Sequence, residues 1–184
     1  MPSRFFQFIG GSSGEWRIQT IRQIVGPGLA EAPRLSIVNA SSPVATPTAV
    51  WQLRGITSNQ RYTNREELSA LVAVQPLLGR PSATCAALIP IKKSDEWWGL
   101  AQDVRREIFE ARSAHIAIGL RYLPAIARRL HHSRDLEEEF DFLTWFEFAP
   151  TDAGAFDDLL AALRETEEWR YVVREVEVRV VRGQ

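Results

Sequence analysis

The second half of the chain carries a regular succession of predicted strands and helices, which limits the possible folds more than any other feature. Buried or alternating apolar residues predict strands, and apolar residues repeated every three to four positions predict amphipathic helices. These patterns place a strand at residues 82–91, a helix at 97–112, an extended segment at 116–131, a strand at 140–148, a helix at 156–163 and a strand at 175–181. This order is that of the split βαβ, or ferredoxin-like, unit. We therefore predict an α+β fold.

The segment 116–131 contains Gly119 and Pro124, which both disfavour a continuous helix, so it is predicted to be extended. The strand 140–148 alternates strictly and places four phenylalanines on one side. Such an aromatic face could line a flat ligand, although aromatic stripes belong more often to an ordinary core.

The first half reads as a weaker copy of the same unit. Residues 5–9, 16–25 and 50–56 have the β-branched and aromatic content of strands, and 26–47 reads as a connecting loop. Asn64 followed by Glu67 resembles a capping box at the start of a helix. Although the sequence shows no repeat, we predict two ferredoxin-like halves, residues 1–81 and 82–184, within one integrated unit.

Composition excludes several classes of protein. The 184 residues carry 22 basic and 23 acidic side chains, which argues against a nucleic-acid partner. No apolar run is long enough to cross a bilayer, and the N-terminus lacks the pattern of a signal peptide, so we expect a cytoplasmic protein without a membrane partner. The single cysteine, Cys85, cannot form an internal disulfide and reads as a small hydrophobic residue in a strand.

Histidines and arginines are the candidates for chemistry. With His115, His131, His132 and one cysteine, a structural zinc site is not expected. His131 and His132 precede a polar stretch and are predicted to lie in a solvated turn. His115 lies where a helix gives way to an apolar segment, so we expect partial burial; its chemistry alone favours a structural histidine but leaves a ligand role open.

Arg128 and Arg129 follow an apolar run. Neighbours in an extended segment point to opposite faces, so one of the two should face the interior and meet an anion there. That anion is either a protein carboxylate or a bound group such as an anionic substrate or a cofactor propionate.

Long ordered blocks of the sequence resemble the chlorite dismutase family. The most extensive is Ser113-Ala-His-Ile-Ala-Ile-Gly-Leu-Arg-Tyr-Leu-Pro-Ala-Ile-Ala-Arg-Arg-Leu; others span residues 51–63, 78–81, 89–98, 133–136, 141–150 and 166–172. The short N-terminal part resembles the compact lineage of that family. The resemblance implies a homodimer of the dimeric α+β barrel type, with two ferredoxin-like halves per subunit.

The resemblance also implies a b-type haem and roles for individual residues. His115 matches the proximal iron ligand, and Glu168 the carboxylate that accepts its other ring N–H, with the adjacent Glu167 as the alternative. Arg128 matches the distal arginine. The remaining matches are Gln75, which would hold that arginine, Lys93 and Tyr62 as propionate or pocket contacts, and Trp97 as a haem-packing aromatic residue.

The implied reaction decomposes chlorite to chloride and dioxygen, through an iron-oxo species and hypochlorite held by Arg128. Three alternatives stay open. A coproheme decarboxylase shares the fold and the proximal histidine but typically lacks the distal arginine. A weak haem peroxidase of the same superfamily and a non-enzymatic haem-binding module are the other two.

Overall fold

The computed structural model describes residues 4–57 and 76–183. Within these residues, eight strands pair in antiparallel fashion and close into a barrel. They are β1 (Phe5–Gly11), β2 (Trp16–Val25), β3 (Arg34–Asn39), β4 (Trp51–Thr57), β5 (Cys85–Lys93), β6 (Ala127–His132), β7 (Phe142–Phe148) and β8 (Val172–Arg182). The predicted capping box at Asn64 and the predicted site residues Tyr62 and Gln75 lie outside the described residues.

Around the barrel the strands follow the order β1-β3-β2-β8-β5-β7-β6-β4, and β4 pairs with β1 to close it. The strands of the N-terminal half are therefore neighbours, as are those of the C-terminal half. In each half the first strand lies between the third and the fourth. The halves meet along β2 and β8 and, more briefly, where Ile56 of β4 faces His132 of β6. Together the two halves form a single barrel.

The alternation along each strand divides the core into two clusters. One cluster fills the barrel interior, with Phe8, Trp145 and Val178 among its members. The other lies outside the barrel on β5 and β7, where Ile89 and Phe146 pack against helices. The aromatic face predicted at residues 140–148 thus contributes Phe146 and Phe148 to the outer cluster.

The helices cover the outer face of the C-terminal half. They are α1 (Asp95–Gly99), α2 (Gln102–Arg106) with a π-helical continuation (Glu107–Arg112), α3 (His115–Arg121), α4 (Ala153–Arg164) and a 3₁₀ segment (Glu167–Tyr171). Among the described residues, no helix combines the length and the apolar character that a membrane span requires.

Three sequence-based predictions were wrong. The helix predicted at 97–112 is interrupted, because Leu100 and Ala101 adopt extended backbone. The segment predicted as extended at 116–131 begins as α3 and continues as β6, with Pro124 in the connection between them. The loop predicted at 26–47 contains β3, which pairs with β1.

The predicted turn at His131 and His132 was also wrong. Both histidines are buried in β6, because β6 lies between β4 and β7 when the barrel closes. His131 packs edge-on against the rings of Phe6 and Phe8, and its Nδ1 lies 3.0 Å from the carbonyl oxygen of Leu143. It is therefore part of the barrel interior.

Candidate active site

His115 is positioned by the turn that starts α3. The residue before it, Ala114, has left-handed backbone (φ 49°, ψ 37°), which separates α3 from the preceding π-helical segment. Glu110 spans this break: its carbonyl accepts from the amide of Ala114 and its carboxylate from the amide of Ile116, each at 2.8 Å. The carboxylate satisfies one of the free amides of the first helical turn. Glu110 thereby fixes where the helix that carries His115 begins.

The imidazole of His115 is held by a buried carboxylate. Its Nδ1 lies 2.7 Å from Oε2 of Glu168, whose own amide donates to the hydroxyl of Ser113 at 2.9 Å. Phe109 and Trp169 stack on the ring, with centroids 4.4 and 6.4 Å away. Because an ionised carboxylate only accepts, Nδ1 carries the proton and Nε2 is the nitrogen left with a lone pair for a metal.

Lys93 completes a buried series of charged groups. Its ammonium forms an ion pair with Oε1 of Glu168 and lies 3.5 Å from the centroid of the Trp97 ring. Burial lowers the pKa of Lys93, and the Glu168 carboxylate opposes this effect. Burial alone raises the pKa of Glu168, but His115 and Lys93 outweigh it and hold that pKa at about 2. Glu168 therefore stays ionised, which favours the ammonium form of Lys93.

Trp97 carries a polar atom without a partner. The side chain is 1% exposed, and among the described residues its Nε1 has no hydrogen-bond partner. The neighbouring Trp98 differs, since its indole N–H donates to Asp141 at 3.0 Å. A buried donor without an acceptor costs free energy. The position of Trp97, beside Lys93, thus has unused hydrogen-bonding capacity.

The two adjacent arginines of β6 face opposite sides of the barrel wall. Arg129, opposite Trp145, points into the barrel, where its guanidinium lies 3.9 Å from the centroid of the Phe6 ring and donates to Nε2 of His131 at 3.1 Å. Arg128, opposite Phe146, lies on the helix-covered side. Burial lowers the pKa of the Arg128 guanidinium, which stays charged because an arginine pKa is so high.

Comparison with known proteins identifies the family. The family model described as chlorite dismutase matches residues 37–183. The chain belongs to the chlorite dismutase family. The crystal structure of a dimeric chlorite dismutase from Nitrobacter winogradskyi is similar over 96% of this chain and 99% of that one, with 53% identity and a TM-score of 0.89.

Two further proteins are similar to this chain. A chlorite dismutase from Ideonella dechloratans is 37% identical over 89 residues, which are 48% of this chain and 29% of that protein. The chain thus aligns with less than a third of the length of this curated relative. A chlorite dismutase from Candidatus Nitrospira defluvii, at 20% identity and a TM-score of 0.70, covers 100% of this chain and shares its fold. The family predicted from the sequence is confirmed.

Within this chlorite dismutase fold, the predicted residues divide into groups. His115, Glu168, Lys93 and Trp97 come together in one buried series of contacts. Glu167, the alternative partner of His115, instead lies 3.2 Å from the guanidinium of Arg112. Lys93 was predicted as a propionate or pocket contact. In the structure its ammonium forms an ion pair with the carboxylate of Glu168.

Sequence reasoning missed Glu110 and Ser113, which hold α3 and Glu168. The sequence gives no sign of the helix break at Ala114. In a regular helix, positions six residues apart are not separated by one turn, so the contact between Glu110 and Ile116 could not be predicted without that break.

Proposed function

We propose that the chain is a haem b enzyme that decomposes chlorite, with His115 as the iron ligand. The overall change, ClO₂⁻ to Cl⁻ and O₂, balances in atoms and charge and consumes no proton. The observation that carries the proposal is the buried series Lys93–Glu168–His115, which holds one imidazole through its Nδ1 and leaves Nε2 as the nitrogen with a lone pair for a metal. Membership of the chlorite dismutase family supports chlorite as the substrate.

The donor set fits a haem. In the described part of the chain, no three His, Cys, Asp or Glu side chains cluster as the ligands of a metal ion. A single imidazole could hold iron because a porphyrin would supply the remaining nitrogen ligands. The buried Nε1 of Trp97, which has no hydrogen-bond partner among the described residues, adds a donor that a propionate carboxylate could satisfy. Bound haem b would supply the iron centre at which chlorite gives up its oxygen atoms.

Glu168 and Lys93 set the electronic character of His115. The carboxylate holds the proton at Nδ1 and makes the imidazole a stronger donor through Nε2. The ammonium of Lys93 keeps Glu168 ionised and limits how far the carboxylate can draw that proton. Burial of both groups excludes water, so the strength of this contact does not depend on solvent.

Arg128 is the proposed catalytic residue for the anion. A desolvated guanidinium attracts chlorite and holds an oxychlorine anion through directed N–H donors while remaining charged throughout. Lysine would keep the charge but not the planar set of donors. Gln75 remains the proposed partner of this arginine, and Tyr62 a proposed pocket contact.

The strand order and one comparison each support a further part of the proposal. Each half has its first strand between its third and fourth, which is the order of a ferredoxin-like sheet, so residues 1–81 and 82–184 are proposed as two such halves. We also propose a homodimer, because the similar Nitrobacter winogradskyi protein is described as dimeric.

The proposal is tested with chlorite as the probe. Haem-loaded wild-type protein should release one dioxygen and one chloride per chlorite. Arg128→Ala should retain haem but lose most of the dioxygen yield and inactivate after fewer turnovers, and Arg128→Lys should fall between the two. Equal yield and lifetime in all three proteins would refute the role of Arg128. A haem-loaded wild type that releases no dioxygen would favour the decarboxylase or the haem-binding module.

A further inference from the structure

The helix that begins with His115 carries a glycine in its middle. Gly119 lies four residues, or about one turn, after His115 in α3. Apart from proline, glycine is the least favourable residue for a helix interior, because it has the most backbone freedom to lose. Gly119 has no left-handed backbone that would require glycine. Helix conformation therefore does not explain its presence.

The space beside Gly119 is occupied by Arg128. A Cβ atom built on Gly119 would lie 3.8 Å from an Nη atom of Arg128 and 3.9 Å from its Cζ. Of the described residues outside its own helix backbone and its chain neighbours, only this guanidinium lies within 4 Å of that point. The bare backbone of α3 is thus one wall of the space in which the guanidinium of Arg128 lies.

The backbone of Arg128 has little freedom to compensate for a change in this wall. β6 pairs with β7 from Ala127 to His132, and Arg128 faces Phe146 in that register. Its side chain leaves the sheet on the helix-covered side, where Ile118 and Phe146 belong to the packed cluster. The position of the guanidinium therefore depends on what α3 presents at residue 119.

Distances decide how large a side chain this wall tolerates. At 3.8 Å, a methyl group would make an ordinary van der Waals contact with the guanidinium. One further carbon extends about 1.5 Å beyond Cβ, so a γ carbon directed at the guanidinium would approach to about 2.3 Å. Alanine should fit, whereas leucine should displace the guanidinium.

We propose that Gly119 is a positioning residue for Arg128, and that its missing side chain sets where the guanidinium lies. The inference rests on the proposed function only in that it treats Arg128 as the group that meets the anion. It makes α3 common to both parts of the site: the helix begins with the iron ligand and, one turn later, supports the residue that binds the anion.

The test compares Gly119→Ala with Gly119→Leu. Both substitutions improve helix propensity, so neither should weaken α3. In the haem-loaded ferric protein, Gly119→Ala should keep the cyanide dissociation constant and kcat/KM for chlorite within about twofold of wild type. Gly119→Leu should change each at least tenfold while retaining haem. Wild-type behaviour of Gly119→Leu would overturn the inference.

A double variant separates an effect through Arg128 from general damage. In an Arg128→Ala background the guanidinium is absent, so adding Gly119→Leu should change cyanide affinity by less than twofold. A further tenfold loss in that background would overturn the inference, because the leucine would then act on something other than Arg128. If Gly119→Leu fails to fold, Gly119→Val takes its place, since its two γ carbons also exceed a methyl group.

A readout without haem keeps this inference apart from the proposed function. The Nε–H NMR signal of Arg128, assigned by its loss in Arg128→Ala, should shift in haem-free Gly119→Leu and stay in place in Gly119→Ala. An unmoved signal in Gly119→Leu would overturn the contact. If the signal shifts in Gly119→Leu but the haem-loaded wild type releases no dioxygen, the proposed function is refuted and the role of Gly119 stands.

Discussion

Replacing Lys93 with methionine tests the buried series of charges most sharply. Methionine preserves much of the length and the apolar stem of lysine but removes the ammonium that faces Glu168 and the ring of Trp97. The carboxylate of Glu168 would then remain buried, with His115 as its main counterpart. Because a buried charge that loses its partner is costly, the folded state should lose stability.

The magnitude follows from the pKa of Glu168. His115 and Lys93 hold this pKa at about 2, below the ordinary value of 4.5. A lowering of this size corresponds to about 3 kcal/mol of stability at neutral pH. The removal of one partner of a buried ion pair typically costs about 3–5 kcal/mol. Because His115 shares in lowering this pKa, Lys93→Met should fall at the low end of that range and lower the free energy of unfolding by about 3 kcal/mol.

The sign of the pH dependence follows from the same shift. Because the pKa of Glu168 is lower in the folded than in the unfolded protein, its contribution is complete above about pH 4.5 and is lost as the pH falls toward 2. The contribution of this group to acid sensitivity in that window should disappear in Glu168→Gln.

The assay is urea unfolding of the haem-free protein at pH 7.5, followed by circular dichroism. Lys92→Met is the matched control, because the neighbouring Lys92 is exposed. This substitution should lower the free energy of unfolding by less than about 1 kcal/mol. The double variant Lys93→Met/Glu168→Gln should be more stable than Lys93→Met alone, since it leaves no buried carboxylate without its ammonium partner. A loss for Lys93→Met no larger than for Lys92→Met would refute the reasoning.

Three further predictions concern the surroundings of the site. Glu110→Ala should cost about 1 kcal/mol through the uncapped start of α3, and Glu110→Gln should cost less because an acceptor remains. Arg164→Ala should cost about 3 kcal/mol, because Arg164 bonds both Glu175 and Glu177, which are fully buried. His131→Gln should reduce the slope of stability against pH between 6 and 4.5 by about 1.4 kcal/mol per pH unit, because burial lowers the pKa of His131 to about 3.

Each of these predictions has a contradicting result in urea titrations of the haem-free protein. Equal losses for Glu110→Ala and Glu110→Gln would mean that the capping hydrogen bond is not what matters. A loss below about 1 kcal/mol for Arg164→Ala would show that the remaining partners satisfy both carboxylates. For His131, stability is present above about pH 6.5 and is lost as the pH falls toward 3, so unchanged slopes in His131→Gln would contradict its neutral burial.

Strands with a strict period were predictable because alternation reflects burial directly. The strand β7 and the apolar face of α4 follow from phenylalanines and leucines whose spacing matches the element they form. The turn predicted at His131 and His132 was wrong because their burial does not appear in any local pattern. Polar residues follow them along the chain, and only closure of the barrel between β4 and β7 buries them.

The sequence indicated candidate residues for the site but not the contacts between them. Alternation implies that Arg128 and Arg129 face opposite sides, yet only the barrel determines which one shares a face with α3. The choice between Glu167 and Glu168 depends on the 3₁₀ segment that turns one carboxylate inward. Lys93 joins Glu168 across 75 positions of sequence, a contact that no local pattern indicates.

His115 is proposed to hold the iron at which chlorite is decomposed, and dioxygen release measures that reaction. Haem-loaded wild-type protein and His115→Ala, matched in protein concentration, are mixed with chlorite in an oxygen electrode. We expect rapid dioxygen release from the wild type, one molecule per chlorite, and none above the free-haem background from His115→Ala. Equal release from both proteins would contradict the assignment of His115, and a haem-loaded wild type that releases no dioxygen would contradict the proposed reaction.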